Sequence, residues 1–422
     1  MKKITLCLSV IFLGVCLLQS CVKDTLKTTY TYYTPVYKSK AEVLQSIKSA
    51  PPSALQNTGK IFLYGQYIFI NEINKGVHII DNSNPLAPRN ISFIAIPGNI
   101  DLAVKNTTLY ADLYTDMGTI DITDPQNVVF KKITTNVFPE RDYSNGFRPD
   151  STKYIVDWVK QETTDKRSLV DNGQPSPGLW LASSSQVSGT ATTKAITGVG
   201  GSMARFTIVN NYLYTVGQSN LSAFNISVPA EPVKENVKPI GWNIETIYPV
   251  KDKLFIGGQT GMFIYSLSNP SSPSLLGSFS HACFRDPVIA DDQYAYVTLR
   301  ATGNTSPCWG GGAAQRNELD VVNISNILQP SLVKIYDMAE PKGLSKDGDL
   351  LFICDGKAGL KIYNAANVQD IKLLKTINNI NPFDVICQFG IVIVVADEGI
   401  YQYDYSNINN IKLISKVPVD KL

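Results

Sequence analysis

Seven times along this chain a run of apolar, β-branched or aromatic residues breaks into a polar turn. The segments are GVHIIDNSNPLAP, MGTIDITDPQNVV, NLSAFNISVPAEP, GMFIYSLSNPSSP, ELDVVNISNILQP, GLKIYNAANVQDI and GIYQYDYSNINNI. Each run ends on a polar turn-former: Asp81, Asp121, Asn225, Ser266, Asn323, Asn364 or Asp404. Three residues later stands Asn84, Asp124, Val228, Asn269, Asn326, Asn367 or Asn407. Asn and Asp tolerate left-handed backbone and cap their own turns, so each site reads as a strand entering a tight turn. The anchors are 40, 104, 41, 57, 41 and 40 residues apart. A period near 40 built from four short strands is the pattern of a propeller blade. The last repeat shows all four strands, as FDVICQF, IVIVVAD, GIYQYDY and IKLISKV. Helical periodicity is absent, which excludes a helical solenoid of similar period. The pattern predicts an all-β chain: one β-propeller over residues 59–422, with seven four-stranded blades. The 104-residue gap leaves a degenerate eighth blade as the alternative.

The two long spacings are one period plus inserts at about 137–200 and 301–317. Strands a to d alternate in direction from the channel outward, so d-to-a and b-to-c connections share one face. The first insert is a d-to-a connection and the second a b-to-c connection, which places both on that face, where binding loops usually sit. Trp158 and Trp180 fall in the first insert, Trp309 in the second, and Trp242 just before strand a of blade 4. They form a candidate aromatic platform for a glycan or protein partner, or else the small core that packs the inserts down. Polar residues recur where strand a begins, beside the channel: Asp101, Arg205, Glu245, Asp286 and Asp384. Converging carboxylates there suit calcium, while lining a watery channel mouth is the plainer role.

The composition, 44% hydrophobic and 18% charged, excludes disorder and a polytopic membrane protein. With 38 basic and 36 acidic residues the chain lacks the basic surface that nucleic acid requires. Lys2 and Lys3 precede the apolar run ITLCLSVIFLGVCLL, a signal peptide rather than a span. The ending LQSC at Cys21 resembles a bacterial lipobox, which implies cleavage after residue 20, acylation of Cys21 (palmitate among the chains) and attachment to the membrane. Residues 21–58 then read as a lipidated tether, with a short amphipathic helix at about 40–49.

Cys283 and Cys308 both fall on the insert face of blade 5, and a disulfide there would close a 26-residue loop. The alternative is zinc held by His281, Cys283, Asp286 and Cys308, although the spacing fits no zinc signature. Cys354 and Cys387 lie on strands and read as buried thiols. His78 and His281 are the only histidines, and His78, inside a repeat strand, reads as structural. No GxSxG, HExxH or Walker A motif occurs, and the glycine-rich GVGGS (198–202) and CWGGG (308–312) lack the setting of a phosphate loop.

The seven segments resemble LVIVD repeats, most clearly over GKIFLYGQYIFINEINKGVHIIDNSNPLAPRNISFIAIPGNIDLAVKNTTLYADLYTDMGTIDITDP. The whole chain is similar to Bacteroidetes lipoproteins of that kind. VKD after Cys21 and DTL at 24–26 resemble the export and O-glycosylation signals of those bacteria. The resemblance implies a propeller at the cell envelope, in the outer membrane with surface exposure as a further option, and no established activity. The expected function is a lipid-anchored binding or scaffolding module for a glycan or envelope protein. The alternative is a hydrolase or lyase using channel carboxylates, Asp286 with Glu245 or Asp384.

Overall fold

The computed structural model describes residues 25–142, 146–168, 187–188, 198–281, 287–301 and 316–420. These residues form seven four-stranded antiparallel blades, one of them extended by an extra strand on each side. Blade 1 comprises Thr58–Tyr64, Tyr67–Glu72, Gly76–Asp81 and Arg89–Ala95; blade 7 comprises Pro382–Gln388, Ile391–Ala396, Gly399–Asp404 and Lys412–Pro418. Every one of the seven repeat segments is strand c of its blade. The blade count is therefore seven. Within the 104-residue gap the described residues hold a long strand, Lys153–Ser168, and short pieces, not a further blade. The inserts lie where the strand order placed them, between strand d of blade 2 and strand a of blade 3, and between strands b and c of blade 5.

The chain divides into two compact units, residues 1–38 with 155–182 and residues 39–154 with 183–422. The smaller is a two-stranded ribbon of Thr25–Ser39 against Lys153–Ser168, in which Tyr32 Oη donates to Gln161 Oε1 at 2.6 Å. The larger is the propeller.

Inner strands of a blade are covered on both faces by neighbouring blades, so they read as unbroken apolar runs. Ile391–Ala396, IVIVVA, is buried from its second residue to its last. Outermost strands meet solvent and alternate instead, as in Val233–Pro239, VKENVKP. The first and last blades close the ring. Ile61 and Ile70 of blade 1 share one core with Ile386 and Val395 of blade 7. The amides of Asn82 and Gln402 exchange hydrogen bonds of 3.1 and 2.7 Å across the same junction.

Part of the segment read as tether is structured. Ser39 caps the helix Lys40–Gln45 through a capping box with Glu42. That helix is shorter than the one the sequence suggested, because Lys48–Ala50 turns extended and adds an outer strand to blade 1. Leu55 then bridges in parallel to Val419, which ties the start of the propeller to its end.

The repeat turns cap themselves as expected. The side chains of Asp81, Asp121, Asn225, Ser266, Asn323, Asn364 and Asp404 each accept the amide two residues on, at 2.8–3.1 Å. The left-handed backbone foreseen there is not used, since none of the second-position Asn or Asp residues has positive φ. Positive φ occurs instead in the a-to-b turns, at Gly65, Asn106, Asn210, Lys251, Gly348 and Phe389.

Candidate functional site: the filled channel and the insert face

The end of the 64-residue insert does not stay on the surface. Val199–Gly200 pairs with strand a of blade 1 on its channel side, opposite Leu63 and Phe62. The chain then crosses the centre of the ring. Gly201 N donates to Ile61 O at 2.7 Å, and Ser202 N donates to Asp384 Oδ1 of blade 7 at 2.9 Å. Ser202 Oγ accepts from Leu344 N of blade 6 at 2.5 Å, and Ala204 O accepts from Ile247 N of blade 4 at 3.0 Å. Ser202, Met203 and Ala204 are all buried. The expected water-filled mouth is a channel occupied by the protein's own backbone.

This accounts for GVGGS. A Cβ on Gly201 would stand 2.0 Å from Asp384 Oδ2 and 2.7 Å from Ile61 Cγ2, so only glycine lets the backbone pass.

Two of the channel carboxylates, Asp384 and Asp101, hold that segment. Asp101 is buried, accepts the backbone amide of Arg205, and pairs with the equally buried Lys60 Nζ at 3.2 Å. Burial pushes the Lys60 ammonium down to about 8 and the Asp101 carboxyl up, each against the attraction of the other. Next to them Asp112 accepts Ile100 N, Asp101 N, Asn99 Nδ2 and Arg141 Nη1, at 2.6–3.0 Å. Burial, then Arg141, lowers the Arg205 guanidinium, while Glu245 and Asp101 oppose them. Glu245 is buried at the start of blade 4. Asp286 lies outside the described residues.

The four tryptophans do not all share one place. Trp242 stands in the connection to blade 4 and is 67% exposed. Trp158 lies on the ribbon strand Lys153–Ser168, half-buried, and so belongs to the smaller unit. Trp180 and Trp309 lie outside the described residues, as do Cys21, Cys283 and Cys308, so the expected disulfide and its zinc alternative fall there too. Cys354 and Cys387 are free, buried thiols, as read, and burial pushes the Cys387 thiol up to about 12. His78 is structural. Its Nε2 lies 3.3 Å from Glu72 Oε2, and its Nδ1 accepts from Asn90 Nδ2 at 3.3 Å.

Sequence reasoning passed over two carboxylates. Glu318 and Asp320 open strand c of blade 5 (Glu318–Asn323), directly after the second insert. Burial, then the neighbouring Glu318, pushes the Asp320 carboxyl up to about 6, with His281 opposing. The signal was present as an i, i+2 acidic pair, hidden inside an otherwise ordinary repeat segment.

The chain is thus a seven-bladed propeller with a self-filled channel. Residues 57–92, 254–281 and 313–338 match the LVIVD repeat, covering blade 1 and parts of blades 4 and 5. No curated protein matches the chain. Among solved structures, a protein from Lactobacillus plantarum superposes with a TM-score of 0.54 at 11% identity, over 86% of this chain and 97% of that one. The computationally designed Ika8 protein gives 0.51 at 8% identity, over 89% and 91%. The periplasmic gluconolactonase PpgL of Pseudomonas aeruginosa gives 0.50 at 9% identity, over 86% and 97%. At such identities these likenesses establish the fold alone.

Proposed function

We propose that the protein is a lipid-anchored binding or scaffolding propeller of the cell envelope, tethered through Cys21 and engaging a glycan or an envelope protein with its insert face. The observation that carries this reading is the channel. Asp101 and Asp384, two of the carboxylates open to a channel-mouth hydrolase or lyase, are bonded to the chain's own amides. Trp242 meanwhile stands exposed on the insert face, and an aromatic ring in water is a ready anchor for sugar or protein.

The test is capture from native envelopes by a soluble form beginning at residue 22. Trp242→Ala, and separately the Trp158, Trp180 and Trp309 triple alanine variant, are expected to lose the partner at unchanged melting temperature. Identical captures by folded variants would overturn the insert-face reading. For the anchor, Cys21→Ser is expected to abolish incorporation of labelled palmitate and release the protein from the membrane fraction. Retained label would refute lipidation at Cys21.

A further inference from the structure

Blade 5 carries three acidic side chains on one face. Glu318 and Asp320 alternate along strand c, and Asp337, the last residue of strand d (Ser331–Asp337), sits directly opposite Glu318 in the antiparallel register. Residues two apart on a strand, and residues paired across strands, project to the same side of the sheet. Like charges placed this way repel. Among the described residues no basic side chain forms an ion pair with any of the three, and none of them accepts a hydrogen bond.

Two of these groups are also buried. Glu318 is 6% exposed and Asp320 3%, and Glu318 Oε2 and Asp320 Oδ1 are sealed from solvent without a hydrogen-bond donor. Two other buried carboxylates of the propeller show the usual arrangement. Asp112 takes four donors, and Asp355 accepts from Ala339 N, Glu340 N and Lys361. A buried acid normally has such partners, and leaving its oxygens bare is costly.

We propose that Glu318 and Asp320 bind a hard divalent cation, calcium or magnesium, at the insert-face end of blade 5. The donors are all oxygen, which suits these ions and not zinc. Among the described residues no three His, Cys, Asp or Glu side chains already converge as a ready-made metal site. The ion is accordingly held by the two buried carboxylates with water filling the rest of its shell, and exposed Asp337 adds negative charge at its open side. Because Glu318 follows the second insert immediately, the cation fixes the strand into which that loop runs. The site lies on strand c, whereas the described channel carboxylates Asp101, Glu245 and Asp384 lie at the starts of strands a.

The test uses the mature chain, stripped with EDTA and titrated with calcium chloride or magnesium chloride, followed by calorimetry and thermal melting. A saturable heat and a rise in Tm of a few degrees are expected, with the relative response naming the preferred ion. The Glu318→Gln, Asp320→Asn double variant is expected to lose both responses. It should also melt above wild type in EDTA, since it no longer buries uncompensated charge. Should the double variant not fold, Asp337→Asn, at an exposed position, is expected to weaken the saturable binding without changing Tm in EDTA. Absence of any heat or Tm shift in wild type overturns the site, and so does a Tm rise of equal size in wild type and the double variant.

Discussion

Single residues in the turns carry much of what makes this chain a propeller. In six of the seven a-to-b turns the first loop residue has positive φ, and four of those six are Gly or Asn. Phe389 is a misfit, held at φ 53 and 91% exposed, with Gly390 also at positive φ. A bulky residue there carries strain with no burial to offset it, whereas Asn-Gly is the favoured pair for a two-residue loop. Phe389→Asn is expected to stabilise the protein by about 1 kcal/mol, read from chemical denaturation. Gly201 is the opposite case. Gly201→Ala places a methyl group against Asp384 and Ile61 and is expected to destabilise by about 1–3 kcal/mol in the same measurement. The sequence showed a glycine-rich stretch there but not its purpose, because the atoms it must pass lie 140 residues or more away along the chain.

Among the elements, the outermost strands solve a problem that the sequence states only indirectly. An exposed edge invites pairing with another chain, and strand d is that edge in every blade but the first, where Lys48–Ala50 pairs onto it. Across these seven strands stand Arg89, Lys131, Lys132, Lys234, Lys238, Lys334, Lys372, Lys375, Lys412 and Lys416, against only Glu235 and Asp337. Each of the seven also breaks register at the same point against strand c, with one extra residue bulged out. Charge and bulge both oppose edge-to-edge association. The lysines were legible as composition, but the bulge was not, since it depends on pairing across the turn.

The segment before blade 1 is fastened by another element-scale contact. Glu72, at the end of strand b, accepts Gln56 N at 3.1 Å and Asn57 N at 2.8 Å beside His78. Burial opposes ionisation, yet the hydrogen bonds from His78 and the two amides win and hold the Glu72 carboxyl down to about 2. A carboxyl lower in the folded than in the unfolded chain stabilises above the unfolded value. That contribution is lost as pH falls from about 4.5 toward 2. Glu72→Gln is therefore expected to melt below wild type at neutral pH, with the gap closing across that acid window.

For the whole molecule, the hydrophobic period and the blade count were readable because they depend on spacing and strand direction alone. The site was less so. The channel carboxylates Asp101 and Asp384 were found by position, but that backbone amides, Arg205 N and Ser202 N, would bond to them was not readable from spacing. An insert's length shows that it leaves the ring. Whether it re-enters depends on shape, here on three glycines that keep the chain thin enough to pass.

The segment at 199–204 bonds to strands of blades 1, 4, 6 and 7, although it precedes blade 3 in the chain. During synthesis, therefore, this segment emerges long before most of its partners exist. Its amides and the Ser202 hydroxyl must wait in water until the C-terminal blade arrives, and only then do the last strand and the innermost one settle together. The segment works as a keystone: fitted when the ring shuts, it makes closure and core formation at the centre one cooperative event rather than seven successive ones.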